Sequence, residues 1–271
     1  MTATEEELNL LLSKKDQSTI WVQTLGRFEV WRSGKPVDSK EWGRDAAIQL
    51  FQFFATNRHR HGMHKELIID RIWPELDLKA GQRNFKVANH GLSKVLEPDR
   101  KSRADSKFVI RQGPTYYLDI SDIWLDVEIL DQLIALGNQA LVDQPELAQE
   151  AFQAAAELYQ GTYLPARLYE DWSTEERERI QLLTLGAITS LSELLISENP
   201  LESVRLAQRV LQIDPTWEDA YRIQMEAYLE KGNRPMAIKT YRQCEEVLEE
   251  EFGIEPLPTT KAVYLRVQGD S

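Results

Sequence analysis

From residue 127 onward the chain offers one helical periodicity after another and no strand pattern, and this bounds its fold more tightly than any other feature. Stretches near 127–136, 145–158, 173–197, 200–212, 217–231 and 234–251, with a last one at 259–267, each read as a helix. Gly161, Asn199-Pro200, Asp214-Pro215, Gly232-Asn233, Pro256 and Pro258 punctuate them, at positions where glycine or proline interrupts the regular backbone. Before residue 122 the texture is different, so two domains are expected in 271 residues, domains typically holding roughly 100–150 each. Residues 1–19 read as a tail or a short, loosely docked helix, with Leu8, Leu10, Leu11 and Leu12 lacking any identifiable partner. The first domain is then 20–121 and the helical one 122–271, with Asp122 to Asp126 joining them.

The first domain opens with β texture: IWVQTL, Gly26, then RFEVWRSG with Phe28 and Val30 alternating. Ser33-Gly34-Lys35-Pro36 is turn chemistry, so two or three short antiparallel strands are predicted. Residues 45–57 predict a helix with Ala46, Leu50, Phe53 and Phe54 on one side. Residues 64–73 predict a second, with Leu67, Ile68 and Ile72 inward and Pro74 as its stop. A third, 79–96, places Phe85, Ala88, Leu92 and Val95 on a core-facing stripe and ends before Pro98. Its other face carries Arg83, Lys86, Val87, His90 and Lys94, a basic face on an element of the right width for a DNA major groove. A polar loop at 99–106 follows, then KFVIRQ, Gly113-Pro114-Thr115 and YYLDI: strand, tight turn, strand. Strands, three helices and a hairpin make a winged helix with an N-terminal sheet, the hairpin lying beside the third helix as a wing.

Net charge is −12, which taken whole argues against nucleic acid. Its distribution argues the other way. Residues 20–118 hold 18 Lys plus Arg against 11 Asp plus Glu, giving +7, whereas 126–271 hold 12 against 27, giving −15. A basic module joined to an acidic one fits polyanion binding by the first. Basic residues also flank the hairpin: Lys101, Arg103 and Lys107 before it, and Arg111 within it.

Other classes find little support. No apolar run approaches the roughly 20 residues that span a bilayer. The opening MTATEEELNLLLSKKD has acids ahead of a leucine run, the reverse of a secretory signal, and Cys244 is the lone cysteine, so a cytoplasmic protein is expected. Neither a Walker loop, a GxSxG elbow nor HExxH occurs, so neither an enzyme nor a cofactor is expected. His59, His61 and His64 lack a completing set of ligands, so no metal is expected; Arg58, Arg60 and His61 are placed near phosphate or in water. The ERER run at 176–179, Asp214-Pro215 and EEVLEEE at 245–251 read as solvated faces or caps, with a basic protein partner as the alternative for the acidic patches. Cys244 reads as core.

Residues 20–119 resemble the OmpR-type winged helix of the SARP (antibiotic regulatory protein) class of bacterial transcription activators. The matching text is LGRFEVWRSGKPV, HKELIIDRIWPE, FKVANHGLSKVLEP and QGPTYYL. The later text, YQGTYLPARLYEDWSTEERERI, DPTWEDAYRIQMEAY and EEEFGIEPLPTTKAVY, resembles the bacterial transcriptional activator domain that follows the winged helix in that class. Within it Ser203 and Ala207 align with Ala237 and Tyr241 at an offset of 34, the tetratricopeptide period. Three departures from the class pattern stand out: Ser93 where a second basic residue is usual, Met63 and His64 where a Ser or Thr cap is usual, and Thr115 at a usual wing glycine.

The resemblance implies an α+β winged-helix domain followed by an all-α tetratricopeptide-like domain, in a sequence-specific transcription activator. Its partners would be double-stranded DNA, in direct repeats, and RNA polymerase, with the helical domain supporting a homodimer. Arg83, Lys86, Val87, His90 and Lys94 would enter the major groove, with Arg83 reading guanine and Val87 touching a thymine methyl. Arg44, Lys107, Arg111 and Thr115 would hold phosphates or the adjacent minor groove. The rival reading is a repeat-type protein scaffold carrying a winged helix that no longer binds DNA.

Overall fold

The computed structural model describes residues 3–101 and 104–269. In chain order it contains α1 (Glu5–Gln17), β1 (Ile20–Gln23), β2 (Glu29–Arg32), β3 (Lys35–Pro36), a 3-10 turn (Ser39–Trp42), α2 (Asp45–Thr56), β4 (Met63–His64) and α3 (Lys65–Ile72). Then come α4 (Leu78–Leu96), β5 (Val109–Gln112), β6 (Thr115–Leu118), β7 (Ile123–Leu125), α5 (Asp126–Ala140), α6 (Pro145–Leu158) and a second 3-10 turn (Pro165–Arg167). The chain finishes with α7 (Asp171–Leu194), α8 (Pro200–Ile213), α9 (Glu218–Glu230), α10 (Arg234–Phe252) and α11 (Pro258–Gly269). An N-terminal α+β winged helix thus precedes an all-α segment, as the sequence predicts.

Compactness divides the chain into two units. One holds Asn9–Gln132 and Leu158–Gln181; the other holds the described residues of Met1–Leu8, Leu133–Glu157 and Leu182–Ser271.

In the first unit, β1, β2 and β3 form the expected antiparallel meander, with Val22 opposite Val30. A fourth strand joins them: β7 runs parallel to β1, Ile20 facing Ile123 and Val22 facing Leu125, so the sheet order is β3-β2-β1-β7. The segment read as a joint is therefore sheet interior. Parallel pairing requires a long crossover, and here the three helices and the hairpin supply it. Acids at both ends of β7 fix it. Asp122 accepts from the Thr19 amide and hydroxyl, and the buried Asp126 carboxylate accepts from the amides of Thr24, Leu25 and Val127 and from the Thr24 hydroxyl. Residues 5–17 are helical rather than a tail, and Lys15 places its ammonium 5.1 Å from the Trp21 ring and 4.6 Å from the Trp124 ring.

Three sequence expectations change on packing. In α2 the burial is not one-sided: Ala47, Phe51 and Gln52 are buried along with Leu50, Phe53 and Phe54, while Ala46 is only partly so. In α3, Leu67 is 42% exposed and Ile69 takes its place inside, because Gly81 of α4 opens a slot for it. A Cβ on Gly81 would lie 2.4 Å from Ile69 Cγ2. The third change is electrostatic. Arg58, expected near phosphate or water, has a side chain 0% exposed and is ion-paired to Glu128 at 2.7 Å, Asp131 at 2.5 Å and Glu176 at 2.6 Å. Arg179 closes the network on Asp131 and Glu176, and Arg177 donates to the carbonyls of Tyr163, Arg167 and Leu168. Glu176, Arg177 and Arg179 of the ERER run are thus part of an ion cluster and its backbone supports, while Glu178 alone is exposed as a solvated face would be. Burial by itself would lower the Arg58 pKa, but the carboxylates around it reverse the direction and hold it charged.

The segment 160–164 lies along the loop after β1. Gly26, at φ +81°, donates to Thr162, and any Cβ there would fall 2.7 Å from the Gln160 carbonyl oxygen. Only glycine combines that backbone angle with that approach.

In the second unit, α8 packs on α9, and α9 on α10 and α11. Asn199 and Asn233 cap α8 and α10 by accepting from Glu202 and Met236, each ahead of a proline in the first turn. The residues read as repeat equivalents, Ser203, Ala207, Ala237 and Tyr241, are all buried. Small side chains let α7 and α8 touch: the Ser192 and Ser203 hydroxyls each donate to the other's carbonyl at 2.7 Å. Tyr241 stacks on Tyr264 at 3.9 Å, and Cys244 is wholly buried, its thiol pushed up to about 12 by desolvation. No described helix is long and apolar enough to cross a membrane.

Candidate nucleic-acid interface

Helix α4 begins where Asp77 accepts from the Ala80 amide, and runs long enough to pack on both α2 and α3 while leaving one face open. Gly81 seats it on α3 and Gly91 on α2, where a Cβ would sit 3.2 Å from Ala47 Cβ and 3.3 Å from the Trp42 carbonyl oxygen. Phe85, Ala88, Leu92 and Val95 are 3%, 1%, 0% and 1% exposed, and Arg83, Lys86, Val87, His90 and Lys94 are all exposed. Helical periodicity alone separates those two sets.

The wing is a three-stranded sheet, β4-β6-β5, in which Gln112 pairs with Thr115 across a Gly113-Pro114 tip. Gly113 takes φ +60°, and the Pro114 carbonyl accepts from the Lys65 amide, tying the tip to the start of α3. That start is capped by His64, whose Nδ1 accepts from the Glu66 amide. Histidine therefore does the work of the Ser or Thr expected there. Thr115 turns its hydroxyl inward to the Gln112 carbonyl.

Between α4 and the wing lies a cleft of about 780 Å³ lined by Lys65, Lys79, Gln82, Arg83, Phe85, Lys86, Asn89, Arg111 and Tyr116. Its lining has five cations and no carboxylate. Phe85 meets the Tyr116 ring edge-on at 5.0 Å to form the floor. Arg111 lies 5.8 Å from the Tyr116 ring and donates to the Gly113 carbonyl, which fixes its guanidinium beside the tip. Among the described residues, Lys65, Lys79, Arg83 and Lys86 have no ion-pair partner, so their field is directed at whatever enters the cleft.

The other sequence-predicted residues are distributed unevenly. Arg44 is exposed at the N-terminus of α2, the end of that helix that meets α4 at Gly91. Lys107 is committed elsewhere: its ammonium is 2.5 Å from Asp122 and 5.6 Å from the Phe108 ring. Burial raises the Asp122 carboxyl pKa, but hydrogen bonds from Lys107 and Thr19 outweigh it and leave the group below the usual carboxylate value. Arg103 lies outside the described residues. Ser93, where the class has a second basic residue, is 6% exposed and lines the flank of the wing with Asn89.

Lys65, Lys79, Gln82 and Asn89 join the site without having been singled out from the sequence. Gln82, Lys86 and Asn89 form an i, i+4, i+7 stripe on α4, so a second helical stripe was the available signal. The Asn89 Oδ1 is shut off from solvent with no hydrogen-bond partner, a polar atom held in reserve beneath the cleft.

One further cluster bears on metals. His59, Glu128 and Asp131 bring ligand atoms within 4.8 Å of one another, but both carboxylates are already bound by Arg58, and Asp131 by Arg179 as well. Two guanidinium groups occupy the place a cation would take.

Comparison with known proteins adds two findings. The family model for the bacterial transcriptional activator domain matches residues 125–268. No curated protein matches the chain. Among solved structures, Mycobacterium tuberculosis EmbR in complex with a low-affinity phosphopeptide is similar with a TM-score of 0.80 at 19% identity, over 94% of this chain and 66% of that one. The chain thus spans just under two thirds of that protein's length, and the likeness is one of fold.

Proposed function

Because the chain belongs to the bacterial transcriptional activator domain family, a class of transcriptional regulators and not of enzymes, we propose that it activates transcription by binding double-stranded DNA through α4 and the β5–β6 wing. One observation supports this above the rest: five cations around a cleft without a carboxylate, in a chain whose net charge is −12. A cleft lined by one sign of charge focuses its field and attracts a polyanion, whose phosphates would relieve the repulsion among the five cations.

Arg83 reads guanine through its two-pronged guanidinium, with Lys86, His90 and Lys94 on neighbouring base edges and Val87 against a thymine methyl. Lys65, Lys79, Arg44 and Arg111 hold the phosphates that set the register, with Thr115 at the wing tip. Lys107, neutralised by Asp122, adds little. The acidic sequence after residue 126 serves the homodimer and the contact with RNA polymerase, and the site of action is the bacterial cytoplasm.

A gel-shift titration against genomic fragments at several salt concentrations tests the reading. With about five phosphates neutralised per chain, log K falls by roughly 4–5 per tenfold rise in salt. Absence of any fragment binding at low salt would overturn it and leave the protein-scaffold reading in its place.

A further inference from the structure

A second cavity, of about 360 Å³, opens on the other side of α3 and is unrelated to the basic cleft. Its apolar lining is Met63 and Trp172, 7% and 8% exposed, with Trp172 edge-on to Phe53 at 5.7 Å. Charges of both signs line the same cavity. Arg60, before β4, and Arg71, on α3, supply cations; Asp171 and Glu175, four residues apart on α7, supply carboxylates. All four are exposed, and among the described residues none has an ion-pair partner. The neighbouring Glu176 and Arg179 are by contrast fully engaged with each other and with Arg58 and Asp131, which holds the α7 wall in place.

We infer that this cavity binds a small zwitterion with an apolar or aromatic body, an α-amino acid or a molecule of that chemistry. Its carboxylate goes to Arg60 and Arg71, its ammonium to Asp171 and Glu175, and its side chain to Met63 and Trp172. The volume lies in the range of small-molecule sites, which combine an apolar lining with a few placed polar groups. A singly charged ligand answers only half of the lining: an anion leaves the two carboxylates uncompensated, and a cation leaves the two arginines so. Arg71 is on α3, whose Ile69 seats against Gly81 of α4, so an occupant touches the helix on which the basic face rests.

Calorimetric titration of the full chain without DNA tests this separately from the DNA reading. L-tryptophan, L-phenylalanine and L-leucine are the probes, with tryptamine and indole-3-propionate as analogues bearing one charge each. Binding of at least one amino acid is expected, with the single-charge analogues weaker by about tenfold or more, the usual effect of losing a charge-assisted hydrogen bond. Arg71→Gln and Glu175→Gln, both at exposed side chains and checked for fold by circular dichroism, should each weaken it similarly. The inference is overturned if no amino acid gives heat, if a single-charge analogue binds as tightly as its parent, or if both variants bind unchanged.

Discussion

At the scale of the residue, Arg58 shows how position in space overrules appearance in sequence. It sits in RHRHGMH, which reads as a basic loop, yet its partners Glu128, Asp131 and Glu176 lie 70, 73 and 118 residues away. Removing one member of a buried ion pair leaves the others desolvated and unpaired, at about 3–5 kcal/mol. Arg58→Met should therefore lower the urea midpoint by that equivalent at neutral pH. The pH dependence should also become shallower. Burial raises the Glu176 pKa, but Arg179 and Arg58 outweigh it and hold it below 4.5, so its contribution is present above that value and lost as pH falls through the folded value. In Arg58→Met, Glu176 keeps Arg179 but loses the Arg58 guanidinium, so its share of stability, and the loss of that share as pH falls, should be smaller. Identical pH profiles for the two proteins would contradict the account. On the open face, Arg83→Ala should relax preference at one base position at roughly 1–3 kcal/mol, whereas Lys65→Ala should weaken all sequences alike; fragment-library binding distinguishes them. The exposure of Arg83, Lys86, Val87, His90 and Lys94 was legible because a helix of known register decides it locally. Ser93 was not, since a helical wheel assigns a face without saying what covers its flank.

At the scale of the element, helix limits were largely legible, because caps and breakers are local chemistry: Asn199-Pro200 and Asn233 start helices where the sequence punctuation placed them. Which residue of a short helix turns inward is a matter of its neighbour. Leu67 and Ile69 compete for the inside of α3, and the hydrogen in place of a side chain at Gly81 decides for Ile69. Gly81→Ala should cost about 1–3 kcal/mol by overpacking this crossing. Adding Ile69→Ala should make the second change cheaper than it is alone, a coupling measurable by a double-mutant cycle of thermal or urea midpoints. Simple additivity would mean that α3 and α4 do not meet there.

At the scale of the whole molecule, the compact unit that carries the basic face also includes β7, the start of α5 and Leu158–Gln181, which a sequence reading assigns to the following domain. That assignment was out of reach because the residues enforcing it, Asp126 and Glu176 among them, look like ordinary surface acids until their partners are known. A fragment ending at residue 121 lacks β7, Asp126 and every carboxylate that holds Arg58, and should show no cooperative melting transition. One ending at residue 181 retains them and should melt cooperatively. A fragment 1–121 as stable as the full chain would refute this. The parallel pairing of β7 with β1 also imposes an order of events on protein synthesis. The first strand, all three helices of the winged fold and the wing are synthesised before the strand that completes their sheet, at typically 5–20 residues per second. Sheet closure is then the slow, long-range contact of this unit. A truncated or stalled product holds the basic helix on an unfinished sheet with β1 as an open edge, a species for proteases or chaperones.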